Sequence, residues 1–554
     1  MEKFGGKSRV FLRASTACCA ASLSFFLLAG GAQAAPQGLL TRHTRDVVTQ
    51  GQALASGRLS GSQSLRLNIA LPLRNQLGLN SLIQQLYNPQ SPSFRQYLTV
   101  SEFTKQFGPT EDDYNKVVAF AEANGLTVAG TSPNRLLLDV TGPVSSIEKA
   151  FNITINSYQD PSDGLVFYAP DREPTADLSV QLWHITGLDS YAMPHPASLH
   201  QSTLVKPNLT GSGPGGQYLG SDMRAAYYGG TALSGNGQSV GLLEYAGYNI
   251  NDVTTYFTKA KQPLNVTITG VSVDGSSLSC TGSCDDTEQV LDIDQAISMA
   301  PAMDSVLVYV SDTSDVAMFN RMATDNIAKQ LSCSWTWRPA DPASDDPIFQ
   351  EFAMQGQTLF TASGDSGSYS KRTTYVYPSD DAYLTSVGGT DLITTGPGGA
   401  WVSETGWSDS GGGISPDGIA IPSYQTAAGV ITAGNKGSTT LRNSPDVAAE
   451  ANFDNYVCSD GGVCEGGWGG TSFAAPRWAG LLALINQRAV SHAHATIGFL
   501  NPIIYPIALG STYSSYFHDI TSGSNGGFTA QTGFDLVTGW GSPNGSKLAG
   551  ALVP

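Results

Sequence analysis

The feature that most constrains the fold is the rhythm of apolar segments after Gln238. Short apolar runs alternate there with longer stretches of helical periodicity. The predicted strands are 239–243, 306–310, 330–334 and 358–361, and the predicted helices include 287–299, 317–323 and 347–355. Strands that are apolar on both faces and separated by helices are typical of a largely parallel sheet with helices on either side. Functional residues then gather at the carboxyl ends of the strands.

The first 200 residues predict a separate unit with a different organisation. Predicted strands at 64–71, 126–128, 135–140 and 153–158 alternate with predicted helices at 78–87, 101–107, 110–124 and 145–150. This order is typical of an α+β fold in which helices back one small open sheet. Residues 194–216 are rich in Pro, Ser, Gly and His and predict an exposed linker.

The N-terminus has the pattern of a secretory signal. Four basic residues precede an apolar run at 20–29, and Ala32-Gln33-Ala34 matches an A-x-A cleavage site. We therefore expect residues 1–34 to be removed and the mature protein to be secreted. No later stretch stays apolar over about 18 residues, so no membrane span is expected.

Charge is distributed unevenly along the chain. The net charge is −17, but residues 1–200 are neutral, so the whole acidic excess lies in residues 201–554. An acidic surface argues against nucleic acid as a partner, because phosphates would be repelled. It also suits acid conditions, in which carboxylates take up protons and few basic groups remain to repel one another. Solubility alone would explain the acidity equally well.

Five of the seven cysteines lie beyond the signal peptide. Cys280 and Cys284 are four residues apart, and Cys458 and Cys464 bracket a glycine-rich loop. In an oxidising compartment these predict two local disulfides. Zinc is the weaker alternative because no histidine lies near them in sequence. Cys333, in an apolar strand, is expected to be a buried thiol.

Two carboxylates stand out on the predicted helix 287–299. Glu288 and Asp292 occupy positions i and i+4, so their side chains share one helix face. Adjacent carboxyls resist simultaneous ionisation, and a proton shared between them gives an acid–base device around pH 3–5, since an isolated Glu has a pKa of about 4.3. A solvated acidic face is the competing interpretation, because three more aspartates are close by in sequence.

Residues 470–476 form a Gly-Thr-Ser-Phe-Ala-Ala-Pro turn that leads into an apolar helical segment. At a helix N-terminus, backbone N–H groups and the helix dipole favour negative charge that develops during a reaction. A nucleophilic Ser472 would need a base, ordinarily a histidine. None of the seven histidines lies between residue 201 and Ser472, so Glu288 and Asp292 are the candidate bases.

Several segments together resemble the sedolisins, or serine-carboxyl peptidases, which are acid relatives of the subtilisins. They are Glu288-x3-Asp292, Leu331-Ser-Cys-Ser-Trp335, Ser363-Gly-Asp365-Ser, Tyr377-Pro-Ser, Val387-Gly-Gly-Thr390, Ser444-Pro-Asp-Val-Ala448, Gly470-Thr-Ser472-x-Ala-x-Pro476 and Phe517-His-Asp519-Ile-Thr…Gly533-Phe-Asp535…Thr538-Gly-Trp-Gly541. Their order and joint presence are specific. The resemblance covers nearly all of residues 35–554 and is strongest to the bacterial pepstatin-insensitive, pseudomonalisin-type enzymes.

The resemblance implies an α/β catalytic domain over residues 217–554, with a subtilisin-like, largely parallel sheet flanked by helices. Residues 35–200 would be an α+β propeptide that assists folding and inhibits the enzyme. Residues 201–216 would be a linker, with activating self-cleavage around His200–Lys206. The implied partners are polypeptide substrates and the chain's own propeptide, and a monomer is expected.

By resemblance, Ser472 is the nucleophile, Glu288 the general base and Asp292 the group that orients Glu288. Asp365 stands where subtilisins have an asparagine, and when protonated it would donate a hydrogen bond to the oxyanion. Glu244 matches a carboxylate that extends this hydrogen-bond chain in some relatives, although simple structural pairing explains it equally well.

The resemblance also implies one structural Ca²⁺ near the C-terminus. Its ligands would be the side chains of Asp519 and Asp535 and the backbone carbonyls of Ile520, Gln531 and Gly533. Oxygen ligands of this kind suit Ca²⁺. The family usually has glycine at the position of Gln531. Gln531 is therefore the one expected ligand at which this chain differs from the family's calcium-binding motif.

Three alternatives stay open at this point. A tripeptidyl-peptidase of the same family would need a closed subsite for the substrate amine, which the sequence does not reveal. A catalytically silent scaffold would not need the carboxylates and serine that are present. A neutral histidine-dependent subtilase is disfavoured because every histidine of residues 217–554 follows Ser472. Trp335, Trp337 and residues 408–413 either line a substrate cleft or serve core packing.

Overall fold

The structure is a computed structural model of the 554-residue chain, and it describes residues 37–161, 164–192, 194–197, 200–202, 209–281, 284–370 and 375–553. The expected signal peptide 1–34 lies outside the described residues. So do residues 203–208 of the expected linker, which include most of the expected activation region.

Residues 37–192, hereafter the N-terminal region, contain fourteen short elements. These are β1 (Gln37–Gly38), α1 (Asp46–Thr49), β2 (Leu54–Arg58), β3 (Ser64–Ala70), α2 (Gln76–Leu86), α3 (Val100–Gln106), α4 (Glu111–Ala123), β4 (Thr127–Thr131), β5 (Leu137–Pro143), α5 (Val144–Phe151), β6 (Ile155–Gln159), β7 (Val166–Pro170), β8 (Thr175–Ala176) and β9 (His184–Thr186). Two short strands follow, β10 (His195–Pro196) and β11 (His200–Gln201).

The helices of the N-terminal region begin at side-chain caps. Thr99 accepts a hydrogen bond from the backbone N–H of Glu102, whose carboxylate in turn accepts from the N–H of Thr99, so α3 starts with a capping box. Thr110 caps α4 by accepting from the N–H of Asp113, and acidic residues fill the first turn, where they favour the helix dipole.

The α+β organisation of this region is confirmed, but it has two larger antiparallel sheets and not one. One sheet has the order β4-β5-β3-β9, and the other has the order β2-β6-β7. The strand predicted at 153–158 corresponds to β6 and therefore belongs to the second sheet. Strand pairing over long sequence separations depends on tertiary packing that local periodicity does not contain.

Residues 209–553, hereafter the main domain, contain the remaining elements. These are α6 (Gly220–Met223), β12 (Ser239–Glu244), α7 (Ile250–Ala260), β13 (Thr267–Ser272), α8 (Thr287–Met299), β14 (Ser305–Val310), α9 (Asp315–Asp325), β15 (Gln330–Cys333), β16 (Trp335–Thr336), α10 (Pro342–Gln355), β17 (Thr358–Ala362), β18 (Thr385–Thr394), β19 (Trp401–Gly406), β20 (Gly413–Ile414), β21 (Asn443–Ser444), β22 (Val447–Glu450), β23 (Asn455–Ser459), β24 (Val463–Gly469), α11 (Ala474–Ser491), α12 (Asn501–Ala508), α13 (Tyr513–Tyr516), β25 (Phe517–His518), β26 (Ser542–Pro543) and α14 (Gly545–Leu552).

An eight-stranded sheet forms the centre of the main domain, in the order β13-β14-β12-β15-β17-β18-β19, with β22 also paired to β18. All of its pairings are parallel except β18 with β19. Val240 and Leu242 of β12 pack in one apolar cluster with residues of α8 and α11, whereas Leu243 packs in a second cluster with residues of α9 and α10. The predicted parallel sheet with helices on both faces is therefore confirmed.

Helix α10 is a surface on which the N-terminal region docks. The indole N–H of Trp183 donates to the carbonyl of Ala343, and the hydroxyl of Tyr87 donates to the carbonyl of Ala353. Between them, the side-chain amide of fully buried Asn134 donates to a carboxylate oxygen of Glu351 at 2.7 Å. The contact is thus specific as well as apolar, because a buried amide needs a matching partner.

Among the described residues, no helix combines the length and the apolar character that crossing a membrane would require.

A buried ion pair joins three elements beneath the sheet edge. Arg442 and Asp446 are both fully buried, and the guanidinium donates to the carboxylate at 2.5 Å. Asp446 also accepts from the backbone N–H of Ser386 at 2.8 Å and from the hydroxyl of Tyr505 at 2.6 Å. The side-chain amide of Asn501, also on α12, donates to the same carboxylate at 3.1 Å. Asp446 therefore accepts hydrogen bonds from β18, from α12 and from Arg442.

We expect Asp446→Asn to lower the free energy of unfolding by about 3–5 kcal/mol, because it leaves the Arg442 charge buried without its counter-charge. The measurement is urea unfolding of a Ser472→Ala background. Arg321→Gln is the matched control, since Arg321 pairs with Asp325 at the surface and such pairs contribute about 0–1 kcal/mol. Equal losses in the two variants would contradict the importance of the buried pair.

Candidate functional site

The carboxylate pair predicted on helix 287–299 lies in the interior. The helix begins and ends where the sequence predicts, and Glu288 and Asp292 are 4% and 0% exposed. Asp294, on the same helix, is 1% exposed. The alternative of a solvated acidic face is therefore excluded, since these carboxyls are held where water cannot stabilise their charge.

Ser472 lies in the turn before α11 and is also fully buried. Ser334 connects it to the carboxylate pair. The Ser334 hydroxyl donates to a carboxylate oxygen of Asp292 at 2.9 Å and lies 3.4 Å from the backbone carbonyl of Ser472. Glu288 lies on the same helix and interacts with the Ser472 hydroxyl, although this hydroxyl and both Glu288 oxygens are buried without a close hydrogen-bond partner. Ser334 is a connecting residue that the sequence analysis missed.

Glu244 extends the carboxyl cluster from the end of β12. One of its oxygens accepts from the indole N–H of Trp335 at 3.0 Å. Its other oxygen and one oxygen of Asp292 are both buried without a donor, although each side chain influences the pKa of the other through a direct side-chain interaction. A proton held between the two carboxyls would satisfy both oxygens.

Burial raises the pKa of each carboxyl in this cluster. For Glu288 the rise is large, and the charges of Glu244 and Asp365 add to it, while the facing hydroxyl of Ser472 opposes it. For Asp292, burial acts first and the charges of Glu244 and Glu288 add to it. Burial raises the pKa of Glu244 to about 8, against opposing hydrogen bonds from Trp335 and Asp292. These carboxyls titrate together and hold protons well above ordinary carboxyl pKa values.

Asp365 lies directly beside the serine turn. One of its oxygens accepts from the backbone N–H and the hydroxyl of Thr471, at 2.6 and 2.7 Å. Its second oxygen is buried without a partner, and burial raises the pKa of Asp365 to about 7 despite the Thr471 bonds. A protonated second oxygen could therefore donate to a group in the cleft. Thr471, which fixes this orientation, is a second residue that the sequence analysis did not single out.

The glycine-rich segment 408–413 packs beneath the turn that carries Asp365. The N–H of Gly411 donates to the carbonyl of Gly364 at 2.6 Å. A Cβ at Gly411 would lie 1.9 Å from the carbonyl oxygen of Ser363, so only glycine permits this approach. The segment 408–413 therefore supports the turn that carries Asp365.

A cleft of about 750 Å³ opens beside Glu288, with Trp335, Tyr375 and Trp468 among its lining residues. Trp337, in contrast, is 3% exposed and packs against Phe319 and Tyr377. The two tryptophans therefore have different locations: Trp335 lines the cleft, whereas Trp337 belongs to the core.

Strands β10 and β11 of the chain itself form part of the wall of this cleft. β10 pairs antiparallel with β16, and β11 pairs antiparallel with β24, the strand that leads to the serine turn. His195 and His200 line the cleft next to Glu288. The segment expected to be an exposed linker therefore begins, in its described residues, as two short strands paired with the main domain beside the candidate site.

The C-terminal loop contains the carboxylates expected to bind Ca²⁺. Asp519 accepts from the backbone N–H of Gly533 at 3.0 Å, and Asp535 accepts from that of Gln531 at 2.9 Å, so both carboxylates converge on one short turn. Among the described residues neither pairs with a lysine or arginine. Burial raises the pKa of Asp535 to about 7, which means that its ionised form needs a compensating positive charge. This donor set fits a hard cation.

Two residues next to Asp519 in the sequence have other surroundings. Ile520 is buried beside Asp519, and His518 stacks on Trp401.

A second acidic group was not anticipated. Carboxylate oxygens of Asp391, Glu450 and Asp454 lie within 4.8 Å of one another. Each of the three has further interactions beyond this group, so their proximity does not by itself indicate a metal.

Both predicted disulfides are present, between Cys280 and Cys284 and between Cys458 and Cys464. Cys333 is a buried free thiol, as predicted.

The burial of Glu288 predicts a definite pH dependence of stability. The unfolded chain gives up this proton near its ordinary pKa of about 4.3, whereas the folded protein retains it to higher pH, so stability falls as pH rises between the two. In a Ser472→Ala background, Glu288→Gln should therefore raise the unfolding free energy at pH 7, because glutamine has no proton to lose. The difference should vanish at pH 4.

The matched control is Glu111→Gln, because Glu111 is exposed on α4. The measurement is the unfolding free energy of these variants, obtained from urea unfolding at several pH values. A Glu288→Gln advantage that stays the same at pH 4 and pH 7 would show that the carboxyl is not held protonated in the folded protein.

Two family models match the chain: the Pro-kumamolisin activation domain over residues 52–191 and the Subtilase family over residues 298–500. Kumamolisin from Bacillus sp. (strain MN-32) is 30% identical over 543 residues, which cover 91% of this chain and 94% of the relative. Sedolisin from Pseudomonas sp. (strain 101) is 29% identical and covers 91% of each chain. Tripeptidyl-peptidase 1 from Rattus norvegicus is 25% identical, over 90% of this chain and 93% of the relative.

Among solved structures, Pseudomonas sedolisin, described as a serine-carboxyl proteinase complexed with two molecules of pseudo-iodotyrostatin, matches with a TM-score of 0.53 and 26% identity. The match covers 62% of this chain and 98% of that one. The fold, the ordered motifs and these relatives agree, and the chain belongs to the sedolisin family of serine-carboxyl peptidases.

Proposed function

We propose that this chain is the secreted zymogen of an acid-active endopeptidase that uses Ser472, Glu288 and Asp292. The observation that carries the proposal is the convergence of a serine at a helix N-terminus with a buried, proton-sharing carboxyl cluster. Every histidine of the main domain follows Ser472 in the sequence, and Glu288 is the group that interacts with the Ser472 hydroxyl, which favours a carboxylate as the base. The partners would be polypeptides and its own propeptide, with no nucleic acid, and the mature enzyme would be a monomer.

The proposed reaction begins when Glu288 accepts the proton of the Ser472 hydroxyl as this oxygen adds to the substrate carbonyl. Asp292, held by Ser334 and Glu244, would orient Glu288 and share protons with it. Glu288 then returns the proton to the leaving amine. Water hydrolyses the acyl-enzyme and regenerates Ser472.

Asp365 would stabilise the oxyanion through its free, protonated oxygen. A carboxylate at this place would repel the oxyanion, so activity should fall as pH rises and Asp365 loses its proton. This gives a physical reason for activity on the acid side of neutrality.

The cleft favours an endopeptidase over a tripeptidyl-peptidase. The chain pairs with the main domain at this cleft through two separate short strands, β10 with β16 and β11 with β24. A groove that accepts a polypeptide continuing in both directions is not closed at a fixed distance from the serine. Release of three-residue products from unblocked peptides would be the sign of the alternative.

We expect Ser472→Ala and Glu288→Gln each to abolish hydrolysis of a denatured protein substrate. Wild-type activity should be highest on the acid side of neutrality and fall toward pH 7, because burial raises the pKa of Asp365 to about 7 and this donor loses its proton there. The activity should persist with pepstatin. The readout is a pH–rate profile of acid-incubated protein, with Asp304→Asn, an exposed aspartate, as the control variant. Activity that peaks near neutrality or survives Glu288→Gln would identify another base. A wild-type protein that is correctly processed but inactive would indicate a catalytically silent scaffold.

Asp365 can be tested separately. Asp365→Ala should lower kcat by about 10²–10³-fold, the usual effect of removing one oxyanion donor. Asp365→Asn keeps both an acceptor for Thr471 and a non-titrating donor, so it should retain more activity than Asp365→Ala and lose less of it toward pH 7. Identical profiles for the two variants would remove Asp365 from the oxyanion site.

A calcium ion at Asp519 and Asp535 would stabilise the C-terminal loop, with Ile520, Gln531 and Gly533 supplying carbonyl oxygens. We expect EDTA to lower the thermal midpoint of the Ser472→Ala protein, by an amount equivalent to about 2.7 kcal/mol if Ca²⁺ was present at 100 times its Kd. In Asp535→Asn, EDTA should have little further effect. Elemental analysis should find one calcium per chain, and no EDTA effect together with no bound calcium would refute the site.

A further inference from the structure

We propose that Thr471 is a positioning residue of this active site, whose hydroxyl and backbone N–H together confine the proton of Asp365 to the oxygen that is left for the oxyanion. The inference rests on the proposed function, in which Asp365 is the oxyanion donor, and it adds the group that orders this donor. The directions of the hydrogen bonds around one carboxyl oxygen carry it.

The two oxygens of the Asp365 carboxyl have different surroundings. Oδ1 accepts from the backbone N–H of Thr471 at 2.6 Å and lies 2.7 Å from the hydroxyl oxygen of the same residue. Oδ2 is buried and has no hydrogen-bond partner. Thr471 is 0% and Asp365 3% exposed, and in such an interior a hydrogen bond is electrostatically stronger than in water. The bonds from Thr471 therefore have a large influence on how this carboxyl is protonated.

The hydroxyl proton of Thr471 has one acceptor among its described contacts. The backbone N–H of Gly364 donates to the Thr471 hydroxyl oxygen at 3.0 Å, and an N–H can only donate. Gly364 has a φ of 101°, a conformation that glycine adopts without a steric penalty. The remaining described partner of the hydroxyl is Oδ1 of Asp365, so the hydroxyl donates its own proton to this oxygen.

Oδ1 of Asp365 thus receives two hydrogen bonds, one from an N–H and one from an O–H. An oxygen that accepts both is the unprotonated oxygen of a carboxylic acid, because a proton on it would face the hydrogens of both donors. The proton that the acid retains therefore lies on Oδ2. Without the Thr471 hydroxyl, the proton could occupy either oxygen, and on Oδ1 it would be directed at Thr471.

Three groups set how readily Asp365 loses this proton. Burial raises the pKa of Asp365 to about 7, the bonds from Thr471 lower it, and the charge of Asp409 in the glycine-rich segment adds to the rise. Glu288 faces the same carboxyl from α8, and its own pKa is raised by burial first and by the charge of Asp365 as well. Thr471 therefore has two separable effects: it places the proton, and it makes the proton easier to lose.

Thr471 is also the residue directly before the nucleophile. Because Thr471 and Ser472 share a peptide unit, the turn that presents the serine also presents both donors to Asp365. The backbone N–H is retained in every substitution at this position. A variant of Thr471 can therefore remove the hydroxyl bond and leave the other bond to Oδ1 in place.

Thr471→Val removes the hydroxyl and keeps the shape of the side chain. We expect kcat to fall by about tenfold, a part of what loss of an oxyanion donor costs, with little change in KM, because the oxyanion forms only after the substrate has bound. The alkaline limb of the kcat/KM profile should move to higher pH, because a bond that favours the ionised form of Asp365 is gone. A purely structural role would not produce that shift.

The conservative variant and a second deletion complete the series. Thr471→Ser keeps the hydroxyl, so it should retain most of kcat and the wild-type pH profile. Thr471→Ala removes the hydroxyl without placing a methyl group against Asp365, and it should show the same shift of the limb even if the valine variant does not fold. The thermal midpoint of each variant, in a Ser472→Ala background, shows whether it is folded.

Thr390→Val is the matched control. Thr390 is also fully buried, and its hydroxyl donates to a carboxylate oxygen of Glu404 at 2.7 Å. Glu404 takes no part in the proposed reaction. The same substitution should therefore lower the thermal midpoint without moving the alkaline limb.

Asp365→Asn separates proton placement from packing. The donor and the acceptor of an amide are fixed by its covalent structure, so an amide at this position has no proton to be placed. Thr471→Val should therefore lower kcat less in the Asp365→Asn background than in the wild type, and it should not move the limb there. Such non-additivity is the expected sign of two residues that act as one unit.

The outcomes separate the inference from the proposed function. Folded Thr471→Val with wild-type kcat, or with a limb that moves to lower pH, overturns the inference, and so does an equal loss of kcat in the Asp365→Asn background. In these cases an enzyme that Asp365→Ala impairs leaves the proposed function standing. Full activity of Asp365→Ala would remove Asp365 from the oxyanion site, and absence of hydrolysis by the wild type at any pH would refute the proposed function itself.

Discussion

The candidate site depends on carboxyl groups that are buried without a cationic partner among the contacts described for them. Glu244, Asp292 and Glu288 succeed one another from the end of β12 to the face of α8, and Asp365 lies beyond Ser472. An ionised carboxylate in such surroundings is costly, so the cluster retains protons that isolated carboxyls would release. One physical effect, desolvation, thus raises the pKa of both the proposed base and the proposed oxyanion donor.

The neighbouring elements hold this cluster in place through neutral donors. Ser334 bonds Asp292, Trp335 bonds Glu244 and Thr471 bonds Asp365. A lysine or arginine at any of these positions would pull the local pKa down and keep the carboxyl ionised. Hydroxyl and indole donors orient the groups while leaving their protons in place.

The sequence predicted the architecture of the main domain and the four residues Glu288, Asp292, Asp365 and Ser472, which the structure places close together. Helix 287–299 was predicted with its observed bounds, because its periodicity is strong and Pro301 follows its end. The burial of Glu288 could not be predicted, since it depends on how α8 packs against α11 and β23. Ser334 and Thr471 were missed because one serine or threonine carries no periodic signal, and their roles arise only from contacts between distant segments.

The prediction for residues 194–216 shows a different limit on what local composition can predict. Pro, Ser, Gly and His are typical of linkers, and local composition predicts solvent exposure. His195 and His200 nevertheless pair with Thr336 and Gly469, more than a hundred residues away in sequence. A strand of two residues that adds to a preformed groove has too little sequence to be recognised.

The docking of the N-terminal region on α10 has a consequence for how inhibition would end. While the chain is continuous, the bound segment competes from an effective concentration that can reach millimolar, which free substrate rarely matches. After a cut, the contacts of Asn134 and Tyr87 with α10 are unchanged, but the N-terminal region is then a separate molecule. The fraction of enzyme molecules that have the N-terminal region bound then depends on the bulk concentration of that region. Dilution into a large external volume would therefore free the enzyme, although the intrinsic affinity of the N-terminal region for it is unchanged.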